Sequence, residues 1–368
     1  MEKDQILKKL RDLREKDPKF SDGRIISSVS TEPLDFAVEA FNIFSDTNAL
    51  DVNIFPEVQK LEREIIDWFG TALKNPEIDG YVTTGGTEAN IAALFVAKKL
   101  NPGRREILVP ESAHYSIKRA AELMDLEIKW IKLDENFRAD ITDLESKISK
   151  DTLAVVATAG TSSLGVVDPI EEINSLCKDI FFHVDAAFGG FVLPFMENAP
   201  CIDFSLENID SITIDPHKMG MNLIPAGAIL FRDKSYLERI KVSPPYLSFS
   251  TSTISGSRSG GAIASVWATI NYLGFDGYQK IVQDCLKNTE FLCNEIEKLD
   301  GVELVRKPDI NVVGIRIKDM GPVSAELIKR GWDIMPDLES GSARVVVMPH
   351  VTETVIKNLV SDLKDILA

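Results

Sequence analysis

The chain has 368 residues, 44% of them apolar and 27% charged, the balance of an ordinary globular protein. With 57 acidic against 41 basic residues its net charge is -16, which repels a phosphate backbone and sets nucleic acid aside as a partner. No apolar run reaches the length of a membrane span, and the opening MEKDQILKKLRDLREKD lacks the apolar core of a secretory signal, so the expectation is a cytoplasmic protein with no membrane partner.

Residues 1–19 alternate charged and apolar positions at helical spacing and read as an amphipathic helix, exposed or packed on a partner. Residues 56–73 repeat that period with Leu61, Ile65, Trp68 and Phe69 along one stripe, as a core-facing helix does. GYVTTGGTEAN (80–90) then places Gly85 and Gly86 between a β-branched run and an alanine-rich helical run. A tight turn explains them, and so does an anion site, because glycine lets backbone approach a ligand at a helix start whose free N–H groups favour negative charge.

Beyond residue 100 come six short apolar runs, EILVP, IKWIKL, LAVVATA, IFFHVDAA, SITIDP and AGAILFR, with helical patterns such as SIKRAAELMDL and ADITDLESKIS between them. Apolar on both faces, they suit strands of a mainly parallel seven-stranded sheet covered by helices. An α/β domain over 51–275 follows, preceded by an N-terminal segment (1–50). A helical pattern from Gly277 to Leu299, the runs GVELV, NVVGIRI and ARVVVMPH, and helices near 322–330 and 353–367 make a small α+β domain over 276–368. Residues 242–260 show no period and read as a long loop. The four cysteines, Cys177, Cys201, Cys285 and Cys293, match no zinc spacing and are expected to be reduced, buried thiols.

Chemistry gathers at strand ends. In FFHVDAAFGG the period of two sets His183, Asp185 and Ala187 on one face, and a carboxylate inside such a strand needs a cation or a donor. SITIDPHKMG ends a second apolar run in Asp215, Pro216, His217 and Lys218, where desolvation lowers a lysine's pKa and makes its amine a nucleophile. An anion-binding helix start, a buried carboxylate and a lysine on a later strand are the three parts that pyridoxal phosphate needs: donors for its phosphate, an acid for its pyridine nitrogen and an amine for its aldehyde. The small Ala187 leaves room for a flat ring. Surface placement of Lys218 and a simple ion pair at Asp185 are the plain alternatives.

TTGGTEAN, ESAHYS, HVDAAFGG and DPHKMG, in that order, resemble the group II pyridoxal-phosphate-dependent decarboxylases of the aspartate aminotransferase fold (fold type I). With GSRSG and ARVVVMPHVT, the chain is most similar to the archaeal branch named for tyrosine or aspartate decarboxylation, over residues 20–365. The resemblance implies that Lys218 holds pyridoxal 5'-phosphate as a Schiff base, that Asp185 faces the pyridine nitrogen, and that His114 stacks on the ring. There His114 would orient the scissile carboxylate, tune the electron sink or act as a general acid. Gly86 and Thr87 would bind the phosphate, with Asp215 and His217 among the cofactor contacts and Thr161 beside the ring.

Ser257 would reach the phosphate from a neighbouring subunit, which implies a homodimer. Tyr246 in SPPYLSFS would protonate Cα, and Arg344 would bind a substrate carboxylate. The implied reaction turns an L-amino acid into its amine, L-aspartate into β-alanine or L-tyrosine into tyramine. Another fold type I reaction (aldehyde-forming lyase, aminotransferase or sulfur transfer) and a non-catalytic dimeric binding protein remain as rivals. His350 is expected to be structural.

Overall fold

The computed structural model describes residues 1–245, 248–338 and 340–368. Helices α1 (Lys3–Arg14), α2 (Asp35–Ile43) and α3 (Pro56–Ala72) precede strand β1 (Asp79–Thr83), and α4 (Gly86–Leu100) follows it. Then β2 (Glu106–Pro110), α5 (Tyr115–Met124), β3 (Glu127–Ile131), α6 (Ile141–Lys147), β4 (Thr152–Thr158), α7 (Ile170–Leu176) and β5 (Phe181–Asp185) alternate. Strands β6 (Ile209–Ile214) and β7 (Gly227–Phe231) and the single turn α8 (Ser235–Glu238) lead to the long helix α9 (Gly260–Ile296).

These seven strands form one sheet in the order β1-β7-β6-β5-β4-β2-β3. The neighbours from β6 to β3 pair in parallel, while β7 runs antiparallel to both β1 and β6. Both faces are dry. On β4, Val155 and Ala157 pack into one core with α3, and Ala154 and Val156 into another with α4 and α5, as a period of two requires. Such burial at roughly 25 cal/mol per Å² of apolar surface is the main force holding the helices on the sheet. Because β1, β2, β4, β5 and β6 all run the same way, the turns that follow them meet at one edge.

The later elements are β8 (Val302–Leu304), β9 (Val312–Ile317), α10 (Met320–Lys329), β10 (Pro336–Asp337), β11 (Ser342–Val346) and α11 (Glu353–Leu367). The four strands form an antiparallel sheet ordered β10-β11-β9-β8, with a core of its own that takes in Leu292, Leu327 and Leu359. Ile26 joins that core, and its carbonyl accepts from Val346 N–H at 2.7 Å. His350 fastens the same crossing, donating from Nε2 to the Ile25 carbonyl at 2.7 Å and meeting Thr31 Oγ1 at 2.8 Å through Nδ1.

Two expectations are revised. No helix or strand lies between α8 and Gly260 among the described residues, as the loop expected over 242–260 requires, but the helix expected from Gly277 already starts at Gly260, capped by Ser259 Oγ, with a kink at Gly274 where φ is 58°. Residues 260–266 are all buried, so no polar face marks the period there. Two of the cysteines, Cys201 and Cys293, are only half-buried; all four are free thiols.

One ion pair ties α3, β1 and the entry to α9 together. Arg258 Nη2 donates to Glu62 Oε2 at 2.9 Å and Nη1 to the Val82 carbonyl at 3.0 Å, while Glu62 Oε1 accepts from Val82 N–H at 2.8 Å. Both side chains are more than nine-tenths buried. Arg258→Met strands the Glu62 carboxylate and should cost about 3–5 kcal/mol in urea unfolding followed by circular dichroism, whereas the double variant Glu62→Leu/Arg258→Met should regain only part of it, because the Val82 N–H and carbonyl still lose their partners.

Candidate active site

At the shared edge a cavity of about 300 Å3 opens between the turns after β1, β2, β4, β5 and β6. Its first wall is the start of α4. Gly85, the N-cap, has φ 141°, a conformation that glycine adopts at little cost. It sits against Gly227 of β7, where any Cβ would overlap the Gly85 backbone. Glu88 braces this turn, Oε2 accepting from both the N–H and the hydroxyl of Thr84 at 2.8 Å. The first N–H groups of a helix have no partner inside it, so Gly86 and Thr87 present donors and the positive end of α4 to the cavity.

Asp185 ends β5 and is 4% exposed. Its carboxylate accepts from Ala187 N–H at 3.1 Å and from Asn90 Nδ2 at 2.8 Å. Across the cavity, Lys218 follows β6 through a turn in which its Nζ meets Asp215 Oδ2 at 2.9 Å. His217 donates from Nδ1 to the Ala226 carbonyl at 2.5 Å, and its Nε2 stands 3.9 Å from Asp215 Oδ2. His114 is the N-cap of α5, where its Nδ1 accepts from Ser116 N–H at 3.4 Å and lies 2.8 Å from Ser116 Oγ. Burial lowers the pKa of His114, with Lys218 acting the same way and Asp185 and Asp215 opposing it.

The cavity thus brings together Gly86, Thr87, His114, Thr161, Asp185 and Ala187 with Asp215, His217 and Lys218. Thr161 lines it with its hydroxyl already committed to Val166 N–H at 3.0 Å. Ser257 lies outside it, accepting from Asn48 Nδ2 at 3.2 Å. Arg344 does not line it either: its Nε donates to the Ser27 carbonyl at 3.0 Å and its Nη1 to that of Ser162 at 2.5 Å, and Ser162 is part of the wall. Tyr246 falls outside the described residues. His350 stands apart, at the crossing with the N-terminal segment.

Sequence reasoning missed Asn90, Ser116 and Thr158. Asn90 is 1% exposed among the alanines of α4, and a polar residue on so apolar a face was itself the signal. It lies one turn after Gly86, on the helix face that meets Asp185. The Asp185–Lys218 pairing that the strand ends allow is not made: each has its own partner, Asn90 and Asp215.

The residues fit pyridoxal phosphate. Two buried oxygens on the cavity wall, Thr158 Oγ1 and Asp215 Oδ1, have no hydrogen-bond partner among the described residues. A helix start for a phosphate, an amine and an isolated carboxylate face one space. A Cβ on Gly86 would press to 3.0 Å from Asp215 Oδ2 and 3.2 Å from Ala187 Cβ, so that wall is as thin as it can be.

Residues 37–318 match the family described as pyridoxal-dependent decarboxylase conserved domain. The L-aspartate/L-glutamate decarboxylase of Pyrococcus horikoshii is 40% identical, over 100% of this chain and 98% of that protein. The probable L-tyrosine/L-aspartate decarboxylase of Methanothrix thermoacetophila is 41% identical, over 100% and 96%. The fold is that of the Burkholderia pseudomallei sphingosine-1-phosphate lyase, with a TM-score of 0.92 at 23% identity, covering 100% of this chain and 91% of that one. It is also that of the Lactobacillus brevis glutamate decarboxylase, with a TM-score of 0.89 at 20% identity over 100% and 92%.

His183, fully buried behind Asp185, carries a prediction of its own. Burial pushes its pKa from 6.5 down to about 4, so between those values the unfolded chain takes up a proton that the folded chain refuses. Its contribution to stability is complete above pH 6.5 and lost as the pH falls toward 4. Buried Asp168 and Asp210, raised to about 6, act with the opposite sign in both wild type and variant. The stability gap between wild type and His183→Gln, measured by urea unfolding, should therefore narrow as the pH falls through that window.

Proposed function

The chain belongs to the pyridoxal-dependent decarboxylase family, and from that premise we propose that this pyridoxal-phosphate-dependent amino acid decarboxylase converts L-aspartate to β-alanine. The observation that carries the reading is the single cavity walled by the α4 N-terminus, Asp185 and Lys218. Aspartate is common to the names of the two relatives described above. L-tyrosine, giving tyramine, is the second reading. It is favoured by Val29, Phe188, Ile224 and Val312 on the cavity wall and by the name of the Methanothrix relative.

Bound in the cavity, pyridoxal phosphate supplies an electron sink for the pair left on Cα as CO2 departs. Lys218 contributes the amine that holds the cofactor, after the Lys218–Asp215 pair opens to free it. The Asp185 carboxylate keeps a proton on the pyridine nitrogen, and its own position is held by Asn90 and Ala187 N–H. Gly86 and Thr87 bind the phosphate at the start of α4, with His217 close by. His114 packs over the ring and presents its imidazole to the substrate carboxylate. Arg344, whose guanidinium already grips the wall at Ser162, turns its remaining N–H groups to a carboxylate of the substrate. Tyr246 returns a proton to Cα.

Ser257 completes the phosphate site of a neighbouring subunit in a cytoplasmic homodimer. Helix α1 supports an assembly, because none of its residues is buried within the chain and Ile6, Leu10 and Leu13 are exposed. Among the described residues, no helix is long and apolar enough to cross a membrane.

Incubating the purified protein with each common L-amino acid and assaying CO2 and amine should show aspartate turned over first and tyrosine more slowly or not at all. Release of CO2 from neither would overturn both substrate readings. Lys218→Ala should lose the visible absorption of the bound cofactor and more than roughly 10^3-fold in kcat. A variant that keeps both would remove Lys218 from the chemistry.

A further inference from the structure

From the interior to the cavity wall runs a chain of hydrogen-bonded polar groups that ends at the half-buried His114. His183 Nδ1 lies 2.8 Å from Ser211 Oγ, and its Nε2 lies 2.9 Å from Asn90 Oδ1. An amide oxygen only accepts, so His183 carries its proton on Nε2 and takes the Ser211 hydroxyl proton at Nδ1. Asn90 Nδ2 has two protons and two acceptors, Asp185 Oδ2 at 2.8 Å and Ser116 Oγ at 2.9 Å. Ser116 Oγ therefore accepts from Asn90 through one lone pair and keeps its own proton to give. The Ser116 backbone N–H, which only donates, points to His114 Nδ1 at 3.4 Å, so that nitrogen is the acceptor and takes the Ser116 hydroxyl proton at 2.8 Å.

The donors thus run one way, from His183 through Asn90 and Ser116 to His114. The carboxamide is what gives them that direction, being the one member with an acceptor at one end and two donors at the other. Asn90 is 1% exposed, Ser116 and His183 are fully buried, and no water is needed to close the chain. The end result is a neutral His114 with its proton on Nε2, able to donate from there. The same carboxamide spends its other proton on the carboxylate facing the cofactor.

We propose that Asn90 is a positioning residue that sets two things with one side chain: the orientation of the Asp185 carboxylate and the Nε2–H tautomer of His114. The proposal rests on the decarboxylase reading of the site for its catalytic consequence, but the tautomer is a property of the chain alone. The charged groups that bear on His114 are Asp185 at the end of β5 and Asp215 and Lys218 after β6. Burial keeps the imidazole neutral to lower pH than usual. Protonation at Nδ1 would force Ser116 to turn its hydroxyl away and would break the chain at its last link.

Asn90→Asp is the discriminating change, because a carboxylate there takes the Ser116 hydroxyl proton and leaves Ser116 Oγ to accept from His114 Nδ1–H. The full chain, labelled with 15N-histidine, has only four histidines to resolve, and His114→Gln assigns the one of interest. At about pH 8, where histidine is neutral, spectra of the cofactor-free and loaded protein should show wild-type His114 as the Nε2–H tautomer. Asn90→Asp should populate the Nδ1–H form and lose roughly tenfold or more in kcat with little change in KM. Should Asn90→Asp fail to fold, Ser116→Ala, which cuts the link and spares the Asn90–Asp185 bond, should weaken the tautomer preference and lower kcat in the same sense.

An Nδ1–H tautomer in the wild type overturns the proposal, as does a His114 spectrum unchanged in whichever variant folds. A chain that decarboxylates no amino acid overturns the function proposed above and leaves the tautomer result to be read by itself.

Discussion

A carboxylate taken out of water at the end of a β strand must be met by donors, and much of this molecule is the answer to that demand at Asp185. Ionised burial costs several kcal/mol unless hydrogen bonds replace the lost water. Here the replacement is one backbone N–H from the turn after β5 and one amide N–H from α4. The second donor comes from α4, whose apolar face packs on the sheet and whose first turn carries Gly86 and Thr87. The helix start and the acidic end of the cavity are therefore tied to the same helix.

Lysine and acid on neighbouring strand ends would, left to themselves, collapse into an ion pair across the cavity. The structure avoids this by giving each its own partner: Lys218 pairs locally with Asp215, three residues back in the same turn, and Asp185 is satisfied by neutral donors. The space between them stays open for a ring. Within a chain of net charge -16, Lys218, the two carboxylates Asp185 and Asp215 and a helix N-terminus thus share one small volume, with the basic groups set against the acidic ones.

The sheet was legible because its central strands are short apolar runs bounded by polar turns, and runs buried on both faces cannot hide in the sequence. Much of the cavity lining was legible because lysine, aspartate and paired glycines stand where such runs stop. Helix α9 was misread at its start because residues 260–266 are buried on every side and so show no stripe. Asn90 was hidden for a related reason: charged groups mark a site in a sequence, while the amide that meets Asp185 is neutral. The position of Arg344 depends on residues 27 and 162, brought together only by the crossing of the N-terminal segment, and no local pattern announces such a meeting.

The contact between Gly85 and Gly227 has a consequence for how such an enzyme can change over evolutionary time. With two backbones touching and Gly86 pressed against Asp215 and Ala187, the floor of the cavity has no side chain to trade and no slack to absorb one. Diversification toward new amino acids must come from the opposite rim, where Val29, Ile224 and Val312 arrive from the N-terminal segment, a loop and the small sheet. One half of the chamber is a fixed die, the other an interchangeable insert.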